Sequence, residues 1–138
     1  MKRLLLSALG CTVALCITAC SNQVTRVSLE KVQNQIWLLS KIDGQPVTGD
    51  ASLELSSDER AAGNTGCNRF FGLAVMEDNQ FLVERMGMTR MVCLDDNSST
   101  IEPLVVDVLT HHSELAMQGE TLILKGKRHT LTYRLNAQ

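Results

Sequence analysis

ELAMQGETLILKGKRHTLTYRL, residues 114–135, decides the fold. It divides into three β-like runs, 114–118, 121–125 and 129–135, and in the last of these Leu131, Tyr133 and Leu135 alternate with Thr130, Thr132 and Arg134. Successive side chains of a strand point to opposite faces, so one face of this run is core and the other meets water. Three such runs in succession make a closing meander. Upstream the same rhythm recurs. Residues 36–42 form a run closed by the turn signal Asp43-Gly44, residues 52–56 alternate apolar and polar, and residues 70–76 and 81–85 read as a hairpin around Asp78-Asn79. Residues 61–66 are a Gly- and Asn-containing approach to that hairpin. Short runs at intervals of about ten residues are the pattern of a small antiparallel sheet or barrel.

One segment has a helical period. Ile101, Leu104, Val105, Val108 and Leu109 fall on a single apolar stripe. Ser99 and Glu102 have capping-box spacing, which predicts a start near Ser99 and an end near His112. Pro103 lacks an amide donor and is best tolerated in a first turn. The expected architecture is α+β: a small antiparallel β roll or cracked barrel of about eight strands with one α-helix before the last three.

The N-terminus carries an address. Lys2 and Arg3 precede an apolar run, residues 4–17, interrupted by Ser7, Gly10 and Thr12, and Ile17-Thr18-Ala19-Cys20 ends it. The run has the length of a signal-peptide apolar region and is short of the roughly 20 residues that a membrane-crossing helix needs. An aliphatic residue three before and a small residue immediately before a cysteine resemble the lipobox of bacterial lipoproteins, which implies acylation at Cys20 and a mature chain beginning there. Two or three acyl chains anchor stably, so the expected location is the bacterial cell envelope, on a membrane surface. Ser21 stands where an Asp commonly acts as an inner-membrane retention signal, which points to the outer membrane, facing the periplasm. The expected organisation is a signal peptide over 1–19, a polar tether over 20–35 with at most a short helix around 28–32, and one domain over 36–138.

Composition narrows the partners. After residue 19 the side chains include 11 Lys and Arg against 15 Asp and Glu, a sum of −4, and no basic stripe survives, so nucleic acid is not expected as a partner. The expected partner classes are the membrane through the N-terminal lipid, and an envelope protein or anionic ligand, with the chain a monomer. Of the five cysteines, Cys11 and Cys16 lie in the signal and Cys20 takes lipid, leaving Cys67 and Cys93. In an oxidising compartment an even pair is most simply a disulfide, with two free thiols as the alternative.

Three groups of residues together resemble the META domain, specifically the heat-shock lipoprotein HslJ family. They are Trp37-Leu38-Leu39 with Ile42-Asp43-Gly44-Gln45-Pro46-Val47, then Gly66-Cys67-Asn68-Arg69-Phe70-Phe71-Gly72, then Met88-Thr89-Arg90-Met91-Val92-Cys93. The resemblance implies an antiparallel β-rich fold with one helix, an envelope location, and a link to heat stress and novobiocin tolerance. It implies no reaction and transfers no catalytic residue. A fold-level likeness to secretin pilot lipoproteins suggests an apolar groove for lipid or peptide.

Two readings of the signature residues stay open. In one, a disulfide pins a corner in which Asn68 and Arg69 satisfy loop carbonyls. In the other, Asn68, Arg69, Thr89 and Arg90 form a recognition corner, because a Cys67–Cys93 bridge brings the two motifs together, and two arginines suit a phosphate or carboxylate partner. Met86, Met88 and Met91, with Cys93, His111 and His112, suggest a soft-metal alternative such as copper, although methionines more often fill core gaps. No cofactor or resident metal is expected. Asp95 with Asp96 and Asp58 with Glu59 read as solvated loops, and no phosphate loop, His-Glu-x-x-His or Gly-x-Ser-x-Gly motif occurs, so the expectation is a non-enzymatic protein.

Overall fold

The computed structural model describes residues 27–137; the signal peptide, Cys20 and residues 21–26 lie outside the described residues. After a 3-10 turn at Leu29–Lys31 come β1 (Gln35–Ile42), β2 (Gln45–Pro46), β3 (Ser52–Leu55), β4 (Arg60–Asn64), β5 (Arg69–Glu77), β6 (Gln80–Met88), α1 (Asp96–Thr110), β7 (Ser113–Gln118), β8 (Thr121–Lys125) and β9 (Thr130–Leu135). Eight strands close into an antiparallel barrel in the order β1-β3-β4-β5-β6-β7-β8-β9, with β9 returning to β1; β2 pairs only with the far end of β1. The fold is the expected α+β small barrel with one helix.

The turn signals act as read. Asp78 and Asn79 have φ of 48° and 63° and join Glu77 to Gln80 in a two-residue loop, the positive-φ geometry that matches strand twist. Asp43 and Gly44, at 51° and 78°, do the same between β1 and β2. An eight-stranded barrel is just wide enough for side chains to fill. Trp37, Phe81 and Tyr133, with leucines including Leu53, Leu55, Leu122, Leu124 and Leu131, fill this one and are inaccessible to solvent.

The barrel has one weak seam. β6 and β7 share only the pairs Gln80↔Glu114 and Phe81↔Ser113. α1, which connects those two strands, packs along β6 and reaches β9, burying Ile101, Val105, Val108 and Leu109. The helical stripe therefore packs on the barrel beside the strand at which the hydrogen-bond ladder is shortest.

Four local expectations are corrected. Residues 27–35 are not all tether: Val27 and Val32 are buried in the core, the Trp37 indole donates to the Val32 carbonyl at 3.0 Å, and Val27 N donates to Asn79 Oδ1 at 3.2 Å. Apolar burial at one end of the barrel draws this segment in. Residues 60–64 are a full barrel strand despite Ala61, Ala62 and Gly63; a Cβ at position 63 would lie 2.1 Å from the Ser52 carbonyl oxygen, so close approach of β3 selects glycine over β-propensity. The helix begins three residues early, because Asp95 accepts from Ser98 N at 2.7 Å and is the N-cap. Pro103 is then its eighth residue, on the exposed side, and the helix stops at Thr110, leaving His112 exposed and off the apolar stripe.

Candidate functional site

At one end of the β5–β6 hairpin the chain enters through residues 65–68 and leaves through residues 89–95. Asn68 ties these segments together. It is 3% exposed. Its side-chain carbonyl accepts from Met91 N at 2.7 Å and from Thr89 Oγ1 at 2.9 Å, and its Nδ2 approaches the Met91 carbonyl at 3.4 Å. The side-chain amide thus pairs with the backbone of Met91 as a neighbouring strand would. Thr89 Oγ1 also accepts from Arg69 N at 3.0 Å, and Thr89 N donates to the Arg69 carbonyl at 3.0 Å, so the β5–β6 ladder runs one pair past β6.

The third member of the corner is Glu102 of α1. Its carboxylate accepts from Asn68 N and Asn68 Nδ2, each at 3.1 Å, and from Thr65 Oγ1 at 2.6 Å. Thr65 N in turn donates to the Asn68 carbonyl at 2.8 Å. Every hydrogen-bonding group of the Asn68 side chain is engaged, which is what a buried amide requires. The Cys67–Cys93 disulfide, with Cα atoms 5.6 Å apart, closes the same corner.

The four residues expected in the recognition corner are therefore neighbours with different duties. Asn68 is buried and fully occupied by the protein, so it shapes the corner and is not a contact for a ligand; Thr89 serves the ladder. Arg69 and Arg90 are exposed. Among the described residues the ion pairs are Arg60–Asp58, Asp107 with Arg128 and His111, and Asp43–His129, and neither arginine takes part. The loop beside Arg90 also leaves Met91, Val92 and Leu94 exposed.

Glu102 and Thr65 lie outside the expected set of corner residues. The spacing of Ser99 to Glu102 accounts for the glutamate as half of a capping box, but Ser99 Oγ donates instead to the Asp96 carbonyl at 2.9 Å. The signal in the sequence was a carboxylate directly beside the buried stripe residue Ile101.

The soft-metal set does not assemble. Met86 and Met88 pack against the core, Met91 is exposed, and Cys93 is disulfide-bonded next to the start of α1, whereas His111 and His112 follow its C-terminus. A fifteen-residue helix is about 22 Å long, which separates the histidines from the cysteine. The sulfurs of Cys67 and Cys93 and a Glu102 oxygen lie within 4.8 Å of one another, but disulfide sulfurs are not thiolate ligands and the carboxylate already serves Asn68 and Thr65.

Elsewhere the shifted carboxyls are structural. The hydrogen bond from His129, then that from Thr130 N, holds Asp43 below the usual range and clasps the β1–β2 turn to the start of β9. Arg128 does the same for Asp107.

Known proteins with this pattern are informative. The profile of the META domain matches residues 30–138. The chain is 28% identical to heat shock protein HslJ of Escherichia coli (strain K12) over 130 residues, 93% of this chain and 91% of that protein. Among solved structures, one NMR structure of a protein is 25% identical with a TM-score of 0.71, covering 79% of this chain and 95% of its own. Another, from Burkholderia xenovorans, is 25% identical with a TM-score of 0.63, covering 79% and 86%. A crystal structure of a DUF4847 family protein from Bacteroides vulgatus ATCC 8482, at 9% identity and a TM-score of 0.55 over 80% of this chain and 99% of its own, shares the fold alone. Closed barrel, single helix packed on β6 and the profile match agree: the chain belongs to the META domain family.

Proposed function

We propose that this chain is a non-enzymatic, lipid-anchored protein of the bacterial envelope, held at the outer membrane by Cys20, whose barrel presents a rigid corner to an anionic ligand or envelope partner. The observation that carries the reading is the division of labour in that corner. Asn68, Glu102 and the Cys67–Cys93 bridge fix two segments of backbone, while Arg69 and Arg90 project from them without carboxylate partners among the described residues. Guanidinium forks recognise phosphate or carboxylate bidentately, because the planar group presents its donors in one fixed geometry. The likeness to a protein named heat shock protein HslJ supports a role in the heat-stress response; tolerance of novobiocin is the finer expectation carried by the family resemblance.

Native mass spectrometry of the protein purified from its own envelope tests the reading. An anionic ligand or a polypeptide that travels with the wild type and is lost from the Arg69→Ala, Arg90→Ala variant is the expected result. Identical spectra overturn it. Radioactive fatty acid should label the wild type and not Cys20→Ser, and undiminished label in that variant would remove the anchor.

A further inference from the structure

Among the described residues five large apolar side chains are exposed, and three of them, Met91, Val92 and Leu94, fall within four consecutive positions. They are 59%, 84% and 96% exposed, so the tip of the loop between β6 and α1 projects into solvent. Its backbone is nevertheless held. Asn68 Oδ1 accepts from Met91 N, Cys93 is bridged to Cys67, and Asp95 caps α1. A cluster of exposed apolar groups marks a contact surface, and a backbone fixed beforehand lowers the ordering cost of making the contact.

Area and reach select the occupant. Three side chains offer a few hundred Å², well short of the roughly 800 Å² that each partner gives to a stable protein interface, which counts against a second copy and against a folded partner. A bilayer requires no complementary shape. Val27 N donates to Asn79 Oδ1 in the β5–β6 turn, so the chain leads toward Cys20 from the end of β6 opposite to the loop. The nine residues of β6 span about 30 Å, and the seven residues 20–26 reach about 24 Å at most. With the barrel lying along the membrane, Cys20 and the loop tip therefore meet the same leaflet. Attachment at Cys20 makes insertion of the tip an intramolecular step, for which a weak contact is enough.

Charge neither drives nor opposes this contact. Arg69 and Arg90 at the corner are balanced by Asp95 and Asp96, and the Asp95 carboxylate is turned to Ser98 N while that of Glu102 is turned to Asn68 and Thr65. The aliphatic stem of Arg90 can lie on apolar surface with its guanidinium at the level of the phosphates.

We propose that Met91, Val92 and Leu94 enter the boundary between headgroups and acyl chains of the bilayer that holds Cys20, a second attachment point that lays the barrel along the membrane. The inference rests on the lipid anchor proposed above and goes beyond the corner's anionic ligand.

Leu94→Trp in the full acylated chain, reconstituted on phosphatidylcholine vesicles, tests it. The native tryptophan, Trp37, is wholly buried in the barrel and supplies the baseline. The added emission should shift to the blue on vesicles, and lipids brominated about 5–10 Å below the headgroups should quench about half of it. Phosphatidylglycerol vesicles should give the same result. Adding Met91→Ser and Val92→Ser should abolish most of the quenching; quenching that survives them would show insertion driven by the indole alone and would overturn the proposal. Unshifted, unquenched emission from protein that floats with the vesicles overturns it while leaving the anchor standing. A blue shift that follows protein concentration without quenching assigns the tip to a second copy and also overturns it. A chain that does not float removes the anchor and the insertion together. Should Leu94→Trp not fold, Val92→Trp, with Met91→Ser and Leu94→Ser as its control, reads the same loop.

Discussion

Asn68 and Glu102, 34 residues apart, are joined by the backbone amide and the side-chain amide of the asparagine, each donating to the carboxylate at 3.1 Å. This pair makes the helix part of the corner. A buried donor left without its acceptor costs about 1–3 kcal/mol. Asn68→Ala should therefore destabilise the domain by about 3 kcal/mol and Glu102→Ala by about 2 kcal/mol, with the double variant less costly than their sum because the two share partners. Urea titration of the four proteins checks this; additive losses would mean that the pair is not coupled.

The Cys67–Cys93 bridge closes a 26-residue separation, for which the chain-entropy account gives about 3 kcal/mol. A Cys67→Ser, Cys93→Ser variant should melt lower than the oxidised wild type, and its melting should be indifferent to dithiothreitol. The fold should survive, since the Asn68 hydrogen bonds span the same segments. A variant that melts with the oxidised wild type would show that the bridge adds nothing.

Tyr133 is wholly buried, and its hydroxyl has no hydrogen-bond partner among the described residues; burial pushes its ionisation far above the usual tyrosine range. Removing an unsatisfied polar atom without changing the ring should be neutral or favourable. Tyr133→Phe is expected to melt no lower than the wild type, and a drop of several degrees would reveal a partner for the hydroxyl.

Asp95 caps α1, and the hydrogen bonds from Ser98 hold its carboxyl below the ordinary value of 3.8. A depressed carboxyl stabilises the folded state above that value, and the contribution fades as pH falls through the folded pKa. Asp95→Ala should melt below the wild type at pH 7, with the gap narrowing as pH drops below about 4. A gap that stays constant to pH 2 would show that the cap's charge is irrelevant.

The barrel was legible because its information is local. Alternation at Leu131, Tyr133 and Leu135, and positive-φ turn residues at Asp43-Gly44 and Asp78-Asn79, each report a geometry that a few neighbours impose. What escaped was decided at long range. Glu102 has the spacing of a cap to Ser99 yet is claimed by Asn68 and Thr65 from another part of the chain. Residues 60–64 have weak strand propensity and become strand through the approach of β3 to Gly63. Val27 and Val32, isolated among polar residues, are core only because the barrel offers them an end to fill. At the corner, residue type identified Asn68 and Arg69 as a unit, but burial alone separates the scaffold from the exposed guanidinium.

That separation is the central claim, and one measurement tests it most directly: novobiocin survival of a deletion strain complemented with Arg69→Ala, Arg90→Ala, at matched protein abundance. Exposed charges without partners contribute about 0–1 kcal/mol each to stability, so the purified variant should melt within a few degrees of the wild type. The account predicts that survival falls to the level of the empty vector while melting is preserved. Full survival, or a melting curve that collapses with the two arginines, would contradict it.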